Sequence, residues 1–124
     1  MQEAEATTPE LHMQLARIAI IQQRDELRKI ELILGQINSP YTANRQANNI
    51  QALSRAYLQA KHLEERQLIQ LPLAQQEEMQ NMQAEEMRPL LGRVQRQVQF
   101  LALEKNFYGS EILHSATSIF LKRD

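Results

Sequence analysis

Apolar residues return every three or four positions along most of the chain, the period of helices with one buried stripe. Between Ser39 and Leu71 they fall at Ala43, Ala47, Ile50, Leu53, Tyr57, Ala60, Leu68 and Leu71, with Glu64 interrupting the row. No glycine breaks this stretch. Ser39-Pro40 opens it as an N-cap followed by proline at the first helical position. About thirty residues at about 1.5 Å each make a rod of roughly 45 Å, so other segments must cover its stripe.

Upstream, Thr8-Pro9-Glu10 reads as a second start of the same kind, with residues 1–7 as a disordered arm. A first helix is expected from Pro9 to about Leu34, with Gly35 to Asn38 as the turn. Its stripe is Met13, Ala16, Ile20, Leu27, Ile30, Leu34 and Ile37, broken at Gln23. The heptad spacing is that of helices packed at shallow angles. Asp25 and Lys29 are spaced for an i,i+4 ion pair. Downstream, Leu71-Pro72-Leu73 interrupts the ladder and is expected to be the second reversal, with a kink in one long rod as the alternative. A third helix is expected from Pro72 to between Asn106 and Gly109. Its polar first half carries Met79 and Met82, Pro89 should kink it, and Met87, Leu91, Val94, Val98 and Leu101 form its stripe. Its acids come early and its arginines late, which suits the helix dipole. Gly109-Ser110 permits a turn into a last short helix with Ile112, Leu113, Ala116, Ile119 and Phe120 on one side. The pattern thus predicts an all-α fold. It is an antiparallel, coiled-coil-like bundle of three long helices plus a short C-terminal helix, one domain over residues 8–124.

Two apolar sets exceed what one mutual core needs. Leu11, Leu15, Ile18 and Ile21 lie off the stripe of the first helix; Phe100, Leu103 and Phe107 lie off that of the third. Either the first half of helix one is central and touches two neighbours, or these sets are partner-binding faces. The C-terminal segment is expected to fold back on Phe100, Leu103 and Phe107 within the chain, with exchange onto another chain as the competing arrangement.

Composition narrows the chemistry. Across 124 residues the formal net charge is −1, unlike a general binder of nucleic acid or anionic membrane. No cysteine is present, which excludes disulfides, thiolate metal sites and a thiol nucleophile. Seventeen glutamines and only three glycines favour helix. No apolar run is long enough to span a bilayer. The acidic, polar opening is unlike a secretory leader, so a cytoplasmic or already processed chain is expected.

Glu111 and His114 stand at i,i+3, but a bundle metal site needs further carboxylates and a second such pair. His12 and His62 have no partner at ligand spacing. No phosphate loop or nucleophile elbow is found. Catalytic residues, metal and cofactors are therefore expected to be none. Arg17, Arg24 and Arg28 share one side of helix one, and Arg45, Arg55 and Arg66 recur along helix two. They offer an alternative as phosphate-tracking rows of a nucleic-acid-binding protein, weakened by interleaved acids and sparse aromatics. The expected function is a non-enzymatic helical interaction protein. It would be a subunit of a larger assembly or a chaperone-like adaptor, taking a partner helix or a second copy on its surplus apolar faces.

Overall fold

The structure, a computed structural model, describes residues 2–103 and 111–121, with side chains from residue 9. Four α-helices follow in order: α1 Gln2–Gln36, α2 Pro40–Leu68, α3 Leu73–Leu103 and α4 Glu111–Thr117. A 3₁₀ turn, Ser118–Phe120, closes the described chain. The three long helices pack against one another, and no strand occurs among the described residues.

The α2 start follows its capping chemistry. Ser39 is extended (φ −159°, ψ 161°), and its hydroxyl accepts from the Thr42 amide at 3.1 Å. The Thr42 hydroxyl reciprocates by accepting from the Ser39 amide at 3.0 Å. Three corrections apply to α1. Its helix begins at Gln2 rather than Pro9, because glutamine, glutamate and alanine all propagate a helix. Gly35 is the penultimate helical residue rather than part of the turn, and its φ is not positive. Lys29 pairs with Glu26 at 3.3 Å, one turn back at i,i+3, while Asp25 faces Arg24 at 3.5 Å.

Pro72 is a reversal. The Ile69 and Gln70 amides still bond back to Glu65 and Gln67, and Leu71 bonds to Leu68. The Pro72 carbonyl then accepts from Gln75 and Gln76 as the first turn of α3. Gln23 reaches Ala60 and Glu64 while His12 reaches Gln67, so α1 and α2 run antiparallel. Arg24–Glu86 and Glu31–Arg93 pair in rising order, so α1 and α3 run parallel. Helix α3 continues through Pro89, and Leu90 rather than Leu91 takes the fully inward position between Met87 and Val94.

Helix α1 is the middle element and packs on both α2 and α3. The main core joins Ile20, Leu27, Ile30 and Leu34 of α1 with Ile50 and Tyr57 of α2 and Val94 and Val98 of α3. A second cluster at the other end holds Ala16, Leu68, Leu71 and Met79. The C-terminal segment docks within the chain, but not on the residues expected. Helix α4 packs on α2, and the 3₁₀ turn reaches α3. Leu113, Ala116 and Phe120 are buried; the Phe120 ring lies 6.3 Å from that of Tyr57, and Ser54 Oγ donates to the Ala116 carbonyl at 3.4 Å. Phe100 and Leu103 stay exposed, because the 3₁₀ turn, with Phe120 buried, is the part that meets α3.

Candidate interaction surface

The inward face of α1 is saturated by its neighbours: Ala16, Ala19, Ile20, Gln23, Leu27 and Ile30 are fully buried. Leu11 and Ile18 occupy the opposite side and are 53% and 59% exposed. Leu15 is half-buried between them, and Ile21 is exposed. Helix α1 is therefore central and still presents an apolar row outward. A helix with two neighbours has a third side.

The other expected set lies at the opposite end of the bundle. Phe100 is 61% exposed and Leu103 81%, one turn further along α3; Phe107 lies outside the described residues. Ile18 and Leu32 are fourteen residues apart on α1, about 21 Å along the axis. The two expected faces thus form two patches at opposite ends of the bundle.

The second patch includes a residue that the sequence reading missed. Leu32 is 65% exposed. Its neighbours Arg28, Glu31, Gly35 and Gln36 line one shallow depression with it. Gly35 also lines a second depression with Leu34, Ile37, Arg96, Gln97, Phe100 and Leu101. Gly35 is the shared floor, with Leu32 on one side and Phe100 on the other. The signal for Leu32 in the sequence was its place two heptads after Ile18, near the same outward side of the helix.

Electrostatics set this second patch apart. Glu31 holds Arg93 through two contacts, 2.7 Å to Nε and 3.5 Å to Nη2, and its backbone carbonyl accepts from Gln97 at 3.5 Å. That pair ties α1 to α3 directly beside the depression. Arg28 and Arg96 flank it, both exposed, and neither has a carboxylate partner among the described residues.

Between the two apolar clusters lies a buried polar layer. Gln23 Nε2 donates to Glu64 Oε1 at 2.7 Å and to the Ala60 carbonyl at 3.5 Å; Gln23 Oε1 accepts from Gln83 Nε2 at 3.1 Å. The two breaks in the apolar stripes, Gln23 and Glu64, are thus partners. Burial pushes the Glu64 carboxyl above its usual range, with the hydrogen bond from Gln23 opposing that shift. Burial and the nearby Glu64 charge also raise the Tyr57 phenol.

Of the chemical candidates, Glu111 and His114 are both exposed on α4. No group of three or more histidines and carboxylates suited to a metal ion occurs among the described residues. Arg24, in the middle of the first arginine row, pairs with Asp25 and, at 3.8 Å, with Glu86 of α3. His62 and Glu65, 3.2 Å apart, line a shallow hollow on α2 with Gln59, Arg66 and exposed Ile69. Among the described residues no helix is long and apolar enough to cross a membrane. No protein-family model, curated protein or solved structure matches the chain.

Proposed function

We propose that the chain is a non-enzymatic helical interaction protein. It acts as a subunit of a larger assembly or as a chaperone-like adaptor, and its apolar faces take a partner helix or a second copy. The observation that carries this reading is the exposure of Leu11 and Ile18 on a helix whose other sides are already packed. Aligned apolar side chains on one outward face form the surface that helix-in-groove recognition uses. The exposed Phe100 and Leu103 add a second such surface.

The test is Leu11→Asp with Ile18→Asp, and separately Phe100→Asp with Leu103→Asp. Solution mass over a wide concentration range and circular dichroism are measured together. These residues are exposed, so helicity should be unchanged. Loss of self-association, or of binding to a synthetic amphipathic helix, is the expected result for at least one pair. If the parent protein neither self-associates nor binds such a helix, the reading fails.

A further inference from the structure

We infer that the two depressions that meet at Gly35 together form a docking groove for an amphipathic helix whose apolar stripe is flanked by carboxylates. This rests on the interaction reading above and specifies the chemistry of the partner. The apolar part of the groove is Leu32 on α1 and Phe100 on α3, both largely exposed, with Leu34 and Leu101 buried on the Phe100 side. Gly35 leaves its floor open: a Cβ there would meet only the Gln97 amide, at 3.7 Å. An incoming leucine or phenylalanine therefore finds a shallow seat between Leu32 and Phe100.

Charge decides which helix fits. The groove is edged by Arg28 on the α1 side and Arg96 on the α3 side. The acids nearby are committed: Glu31 is held by Arg93, and Glu26 by Lys29. Both arginines are exposed with no carboxylate partner among the described residues, Arg96 with its Nη1 lying back toward Gly92. A helix bearing a leucine stripe between glutamates places one carboxylate against each arginine. A lysine-flanked helix of the same shape meets like charges instead, and like charges across an interface select against the wrong partner.

The probes are three synthetic helices of about five turns with one leucine stripe. They carry flanking glutamates, glutamines or lysines. Binding to the full chain is followed by fluorescence anisotropy at low and high salt. The glutamate peptide is expected to bind about tenfold more tightly than the lysine peptide at low salt, with the gap closing at high salt. Arg28→Glu with Arg96→Glu, both exposed positions, should reverse that order while circular dichroism stays constant. Phe100→Asp should abolish binding of every peptide. Equal affinity for the three peptides, lost in Phe100→Asp, overturns the acidic-partner inference and leaves the interaction reading standing. Self-association blocked by Phe100→Asp, with no peptide bound, assigns the groove to a second copy and overturns it too. Preference for phosphatidylglycerol vesicles over all peptides replaces the helix with a lipid surface. Absence of peptide, vesicle and self-association together removes both proposals.

Discussion

At Gln23 the heptad of α1 puts an amide where the pattern asks for an apolar side chain, and the fold uses each of its polar groups. Its two N–H bonds go to Glu64 and Ala60, and its oxygen takes one from Gln83. Removing a donor from a buried acceptor costs more than the bond itself contributes. Gln23→Leu should therefore destabilise the protein by about 1–3 kcal/mol in urea unfolding at neutral pH. The double variant Gln23→Leu with Glu64→Leu should recover part of that loss, because the stranded carboxyl is gone. Glu64 also makes stability depend on pH. Its folded pKa lies above the ordinary 4.5, so the native state keeps the proton longer than the unfolded chain does. Its contribution is fully present below about pH 4.5 and is lost as pH rises through the folded value. Glu64→Gln should remove that decline. Urea midpoints of parent and variant, compared at pH 4 and pH 7, are expected to diverge in favour of the variant at the higher pH.

At the level of elements, strong local signals and tertiary contacts divided the work. The Ser39-Pro40 start was legible because its cap needs only residues three apart. Pro72 read as a reversal with a kink as the alternative, since a missing amide is local and the direction of the next helix is not. Helix α4 was legible as an amphipathic segment, but not its seat on α2. Phe120 anchors that seat against Tyr57. Phe120→Ala should cost about 3–5 kcal/mol if docking is cooperative with the core, read as a lowered urea midpoint at unchanged mass. Gly35 offers the opposite sign. It lies in helix with room for a methyl group. Gly35→Ala should stabilise α1 by about 0.5–1 kcal/mol, measured by thermal unfolding, because alanine loses less backbone freedom on folding.

The whole molecule is an open arrangement. One central helix carries two long neighbours, and the C-terminal segment bridges those neighbours at one end. That architecture leaves an outward side on α1 and a shallow seam beside α3. If both apolar patches are working surfaces, replacing Leu11 and Ile18 should leave peptide binding over Gly35 intact, since about 21 Å separates Ile18 from Leu32. Binding at both ends lost together in the Leu11→Asp, Ile18→Asp variant, at full helicity, would show one continuous face instead. The sequence by itself determined the helices, the direction of α2 relative to α1, and the inward rows at Ala16, Ile20, Leu27 and Ile30, because periodicity and capping are properties of neighbours a few residues apart. It also marked Phe100 and Leu103 as surplus. Only the tertiary structure decided that Gln23, Glu64 and Gln83 form one layer, that Leu32 and Phe100 share a floor at Gly35, and that Arg28 and Arg96 edge it. Gln23 meets Glu64 across 41 residues of chain and Gln83 across 60, and the packing of α1 between α2 and α3 sets which groups face one another.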